Sequence, residues 1–162
     1  MSAETLIANL TKQYQLHESL LRNTLKKTEV LKKGDVDSLQ EVMREEQKLI
    51  AAITMMENER QTTAQSFLKK NAESQITIAD CITAAAPEAA ETLRALQEQL
   101  VSVIAKLQEQ NDLNQQIIYQ TLQFVNINLD VLQPGKEAAA YGRPDVKKQQ
   151  AKPGKSFFDS KA

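Results

Sequence analysis

The chain has 162 residues, 41% of them apolar and 25% charged, which fits one soluble domain or a helical assembly of that mass rather than two packed domains. Its 20 basic and 21 acidic residues nearly cancel, so it lacks the positive surplus on which nucleic-acid binding rests. Three of the four glycines and three of the four prolines fall in the last thirty residues, and the body keeps only Gly34 and Pro87 as strong breakers, too few for the turns of a sheet protein.

The chain begins Met1-Ser2-Ala3-Glu4-Thr5, with no basic stretch leading into an apolar run, so no secretory signal is expected. No apolar stretch approaches the roughly 18 residues of a membrane span, and the single Cys81 fits a reducing compartment. These features predict a cytoplasmic location.

From Thr5 to Lys33 the apolar and small residues step by threes and fours through Ile7, Leu10, Tyr14, His17, Leu21, Thr24, Thr28 and Leu31. This is a heptad seam on a helix, and Leu6, Leu16, Leu20 and Leu25 widen it beyond a two-stranded contact. Lys32-Lys33-Gly34 supplies cations for the negative end of the helix dipole and a glycine for a left-handed cap. Asp35 and Asp37 offer oxygens to the free amides of a second helix, with Gln40 at capping-box spacing from Asp37. A helical hairpin follows.

The second helix runs from about Val36 to about Lys70, with Leu39, Met43, Ile50, Ile53, Met56, Ala64 and Phe67 on its stripe. Glu46 and Arg60 interrupt that stripe, either at its edge with their charges snorkelling outward or as an ion pair that fixes register. At a rise of about 1.5 Å per residue, the first helix spans roughly 40 Å and the second roughly 50 Å. Between Asn71 and Ala86, Thr77, Ile78, Cys81 and Ile82 suggest a short helix or a capped turn.

Pro87 suits the first position of a long third helix, with Glu88 and Glu91 favouring its positive end. Its stripe is Leu93, Leu96, Leu100, Val103, Leu107, Gln110, Asn114, Ile117, Thr121, Phe124, Asn128 and Val131. Without a breaker before Leu132, this helix extends about 65 Å. Gln133-Pro134-Gly135 ends it, and the remaining residues, rich in Lys, Gln, Ala, Gly and Pro, read as a disordered tail with seven basic and three acidic residues. The expected fold is all-α: an elongated antiparallel helical hairpin plus a long third helix, coiled-coil-like, with a short intervening helix. The expected division is a helical domain over residues 1–132 and a flexible tail over 133–162.

No catalytic constellation is legible. His17 lies in an apolar stripe and is preceded at Glu-x-x-His spacing by Tyr14, so the ferritin-like metal pattern is absent and no metal is expected. Cys81 has no base nearby in sequence and reads as a small buried hydrophobe. Gly154-Lys155-Ser156 resembles the end of a phosphate loop, but Gln149 stands where the first glycine belongs. Glu41, Glu45, Glu46, Glu57 and Glu59 are spread among Lys and Arg as on a solvated helix face. No cofactor is expected.

The most informative stretch is an absence of charge. The seventeen residues from Leu113 to Leu129 carry none, and amides and hydroxyls stand where a solvated helix would carry ion pairs. Amides can be buried against another chain without the desolvation cost of an ion. The segment therefore suits burial, either in its own bundle or against a partner, with Ile118, Leu122, Val125 and Leu129 facing inward and Ile117, Thr121, Phe124 and Asn128 facing a partner helix.

Taken in order, Gly34-Asp35-Val36-Asp37 opening the hairpin, Asn111-x-x-Asn114-Gln115, Leu122-x-Phe124-Val125-Asn126, and a tail with Tyr141-Gly142 and Ser156-Phe157-Phe158-Asp159-Ser160-Lys161-Ala162 resemble the FlgN-type flagellar export chaperones. The resemblance covers essentially the whole chain. It implies a cytoplasmic chaperone of flagellar type III export that binds the unfolded C-terminal segment of hook-filament junction proteins, blocks premature assembly and delivers them to the cytoplasmic domain of the export gate. It implies no nucleotide, no nucleic acid and no direct membrane insertion. The client-binding residues it suggests are Asn111, Asn114, Ile117, Ile118, Thr121, Leu122, Phe124, Val125 and Asn128. Tyr141 and Gly142 would dock the gate, with Phe157 and Phe158 as a second anchor. The competing reading is a structural coiled-coil adaptor that self-associates through its seam.

Overall fold

A computed structural model describes residues 2–69, 71 and 73–132. Their regular structure is helical throughout: α1 (Ala3–Lys33), α2 (Val36–Leu68), α3 (Ile78–Ala84) and α4 (Pro87–Leu132). The expected all-α fold, with a hairpin, a short intervening helix and a long last helix, is what forms. The chain divides into a body ending at Ile118 and a second unit from Tyr119, described as far as Leu132. The tail expected over 133–162 lies outside the described residues.

The hairpin turn follows from two residues. Gly34 adopts φ 70°, the left-handed region where a side chain is strained, and its N–H donates to the Val30 and Leu31 carbonyls at 3.1 and 3.2 Å. Asp35 then caps α2, accepting from the Ser38 N–H at 3.1 Å and the Ser38 hydroxyl at 2.6 Å. The cap is thus Asp35 with Ser38, and the Asp37–Gln40 box read from spacing is not the one used. Helix α2 ends two residues before Lys70, with Lys69 in a left-handed cap at φ 52°. A capping box, Thr77 with Asp80, opens α3, and Pro87 opens α4.

The main apolar cluster joins all four helices of the body: Leu6 and Leu10 from α1, Ala64 from α2, Cys81 and Ile82 from α3, and Ala90, Leu93, Leu96 and Leu100 from α4, with Ile76 from the preceding loop. Leu6, Leu10, Ile76 and Leu93 are almost wholly withdrawn from solvent, and each contributes about 1.5–3 kcal/mol of burial.

Polar side chains continue the seam where apolar ones stop. Asn9 Nδ2 donates to the Met56 carbonyl at 3.1 Å, Gln13 Nε2 donates to Asn9 Oδ1 at 3.0 Å, and Asn23 Nδ2 donates to the Val42 carbonyl at 3.0 Å. The Asn9 and Asn23 bonds end on α2 carbonyls and cross the hairpin, so sliding it by one residue would leave those buried amides unpaired. Among the described residues, every buried side-chain nitrogen and oxygen has a partner.

The observed seams differ from the expected ones for a physical reason. Helix α1 meets both α2 and α4, so its buried arc is wide and takes in Leu6, Asn9, Gln13, Asn23 and Val30, while Ile7, Tyr14, His17, Leu21 and Leu31 sit half-buried on the flanks. Along α2 the residues buried are Val42, Met56, Arg60, Thr63 and Ala64, and the expected stripe residues Met43 and Ile50 are exposed. Arg60 does not snorkel outward. It is buried, donates from Nη1 to the Ile76 carbonyl at 3.0 Å, and pairs with Glu57 on the same helix at 2.6 Å. Glu46 pairs across the hairpin with Lys27 at 3.0 Å.

Candidate functional site

Helix α4 carries two parallel rows of residues at alternating steps of three and four. The first row, Leu93, Leu96, Leu100, Val103 and Leu107, is buried in the body. Below Leu107 this row turns polar. Asn114 is 2% exposed; its Nδ2 donates to the Thr24 carbonyl at 3.1 Å, and its Oδ1 accepts from the Thr28 hydroxyl at 2.5 Å. Gln110 Nε2 donates to the same hydroxyl at 2.6 Å. The amides of this uncharged stretch therefore begin by fastening α4 to α1.

The second row starts half-buried at Gln97 and continues through Val101, Ile104, Gln108, Asn111, Gln115, Ile118, Leu122, Val125, Leu129 and Leu132, all exposed. None of its members carries a charge. Sequence reasoning missed its first half, because Val101 and Ile104 stand beside the stronger leucine row and read as its flank. The signal lay in the same alternation of threes and fours, offset by one position from that row.

The expected site residues thus separate. Asn114 is spent within the body and is not available to a partner, and Ile117 is half-buried beside it. Asn111 is exposed in the body, and Ile118, Thr121, Leu122, Phe124, Val125 and Asn128 are all exposed along the rest of α4. The expectation that Ile118, Leu122, Val125 and Leu129 face inward is corrected: they are exposed by 37, 57, 45 and 51%. In the second unit, Gln123 Nε2 donates to the Tyr119 hydroxyl at 3.0 Å. Tyr141, Gly142, Phe157 and Phe158 lie outside the described residues.

Beside the second row, the body holds two adjoining hollows of about 320 and 250 Å³ that share His17 and Ile104. The smaller is lined by Leu20, Ile50, Ile53 and Leu107 with amides and hydroxyls and no charge. The larger ends at the Glu57–Arg60 pair. Burial works against the Glu57 charge, but hydrogen bonds and charge from Arg60, with bonds from Gln13 and Gln61, outweigh it and hold the carboxyl below its ordinary range. Burial pushes the Cys81 thiol up, the opposite of an activated nucleophile. His17 Nδ1 donates to the Gln13 carbonyl at 2.7 Å, and among the described residues no three His, Cys, Asp or Glu side chains group to hold a metal. No described helix is long and apolar enough to cross a membrane. Within each unit, the exposed members of the second row carry no charge.

The chain is 36% identical over 163 residues to a Bacillus subtilis (strain 168) protein called uncharacterized protein YvyG, an alignment that spans the full length of both. No solved structure matches significantly. The profile of the family described as FlgN protein matches residues 1–149, from the start of α1 to beyond the end of α4. With its helical hairpin, its long last helix and a family match over residues 1–149, this chain belongs to the FlgN family of flagellar export chaperones.

Proposed function

We propose that this chaperone binds the C-terminal segment of hook-filament junction proteins in the cytoplasm and holds it unassembled until export. The observation that carries the reading is the second row of α4, whose apolar members from Ile118 to Leu132 are exposed without a charge among them. A solvated helix has no use for such a row, whereas an incoming amphipathic helix buries it at about 1.5–3 kcal/mol per large side chain. That gain must exceed the cost of ordering an unfolded client, about 2–5 kcal/mol, so several side chains have to act together.

The client-binding residues are Asn111, Ile118, Thr121, Leu122, Phe124, Val125 and Asn128, with Ile117 at the boundary of the body; Asn114 supports them from behind by fixing α4 on α1. Delivery to the cytoplasmic domain of the export gate is assigned to Tyr141 and Gly142, with Phe157 and Phe158 as a second anchor, since an aromatic side chain is an effective plug for a shallow apolar pocket.

Co-purification tests both halves. A full-length junction protein should be retained by the wild-type chain and lost when its last helix is deleted. Tyr141→Ala should keep the client and lose the gate domain. Retention of the client without its last helix would contradict the first half, and retention of the gate by Tyr141→Ala would contradict the second.

A further inference from the structure

Helix α2 carries a neutral row of its own. Val36, Gln40, Met43, Gln47, Ile50 and Thr54 follow at alternating steps of four and three and so share one face, although the nineteen residues they span hold six charges. All six members are exposed, Val36, Met43 and Ile50 by 63, 45 and 47%. The row meets its first charge at Glu57. Within the body, the part of the second α4 row from Gln97 to Ile118 is neutral too. The two rows share the smaller hollow, to which α2 brings Ile50 and Thr54, and α4 brings Ile104, Gln108 and Asn111. In the larger hollow, Gln97 and Val101 of α4 meet the Glu57–Arg60 pair of α2. We propose that this groove of the body seats an amphipathic helix of the client, a segment other than its C-terminal helix, whose buried face is apolar and uncharged.

The walls set the chemistry of the occupant. A charge brought into the smaller hollow would lose its water and find no ion to pair with, whereas an apolar side chain would pack on Leu20, Ile53 and Leu107. Glu57, at the far end of the larger hollow, is already held by Arg60, Gln13 and Gln61. No strand edge is present among the described residues, so an extended segment has no ladder to join; a helix satisfies its own backbone. From Met43 to Thr54 the α2 wall runs about 16 Å, which a helix of about three turns covers. Two copies laid groove to groove would set wall against wall and leave both hollows unfilled. The amides Gln47, Gln108 and Asn111 repeat the chemistry of the exposed α4 residues assigned to the client, so the same unfolded polypeptide fits both. Once one segment is held, binding of the other is intramolecular and gains from linkage.

This second seat rests on the client reading proposed above, and two ligands separate the two claims. One is a peptide covering the C-terminal helix of a hook-filament junction protein; the other is the full-length junction protein. Full chains carrying Ile50→Asp, Val101→Asp or Leu122→Asp are titrated calorimetrically with each. Wild type should bind the full-length protein at least about tenfold more tightly than the peptide. Ile50→Asp and Val101→Asp should each weaken full-length binding at least about tenfold and leave peptide binding within about twofold, while Leu122→Asp weakens both. A wild type that binds neither ligand overturns the client reading and the second seat with it. Peptide binding by wild type, with full-length binding indifferent to both groove variants, overturns the second seat alone. So does loss of peptide binding in the groove variants, which would put the C-terminal helix itself in the groove. A wild-type dimer in sedimentation equilibrium that Ile50→Asp dissociates would give the groove to a second copy and overturn the proposal as well. Circular dichroism confirms folding of each variant, and Thr54→Glu or Gln108→Glu, at exposed positions lining the smaller hollow, replaces one that misfolds.

Discussion

The hydroxyl of Thr28 on α1 donates to Oδ1 of Asn114 on α4 at 2.5 Å, joining residues 86 positions apart within the body. Both side chains are buried, and the same hydroxyl accepts from Gln110, so one oxygen ties together three side chains where the leucine row of α4 has ended. The contact marks the transition along α4 from apolar packing to amide anchoring, just ahead of the exposed surface.

Thr28→Val keeps the shape and removes the hydroxyl, leaving the Asn114 oxygen and the Gln110 amide without their shared partner. The expected loss is about 1–3 kcal/mol, read from urea unfolding, with little change in the slope of the transition. No change in midpoint would show that water replaces the hydroxyl at no cost.

The buried and exposed rows of α4 should respond oppositely to substitution. Leu100→Ala, in the buried row, should cost about 2–5 kcal/mol. Leu122→Asp and Phe124→Asp, at exposed positions, should leave thermal unfolding within about 0.5 kcal/mol of wild type. A collapse of stability in the latter pair would place those side chains in a core.

Stability should depend on pH in the acid range. Hydrogen bonds from the Ser38 side chain and backbone hold Asp35 below its ordinary value of 3.8, and Glu57, held down mainly by Arg60 against the opposing effect of its burial, lies below 4.5. Because both are depressed on folding, their contribution is complete above those ordinary values and is lost as the pH falls through the lower folded ones. Melting temperature should therefore be flat near neutrality and fall below about pH 4.5, with a shallower fall in Glu57→Gln. A melting temperature rising on acidification would contradict this account.

Gly34→Ala puts a side chain at φ 70° with nothing within 4 Å of it, so the cost is backbone strain alone. About 1 kcal/mol is expected, seen as a lowered urea midpoint. A larger loss would mean that the turn also depends on space that the structure leaves open.

Much of this is legible in the residues. Gly34, Pro87 and the leucine row of α4 are local signals: a cap, a breaker, and a 3.6-residue period on one helix. The positions that are not legible depend on two helices at once. Asn9, Gln13 and Asn23 look like solvent-facing amides in sequence and become buried only because carbonyls on α2, or amides on the same helix face, meet them. Arg60 reads as an edge charge until Ile76, from the loop before α3, presents its carbonyl. For the candidate site, the neutral stretch Leu113–Leu129 is visible in sequence, but its division at Asn114 is not, since the partners that claim Asn114 lie on α1.

The client-binding surface is the central claim, and calorimetric titration with a peptide covering the C-terminal helix of a hook-filament junction protein tests it most directly. The account predicts one peptide bound per chain, a negative heat-capacity change from apolar burial, and loss of binding in Leu122→Asp and Phe124→Asp chains that remain folded. Absence of binding by the wild-type chain, or binding unchanged in both variants, would contradict it.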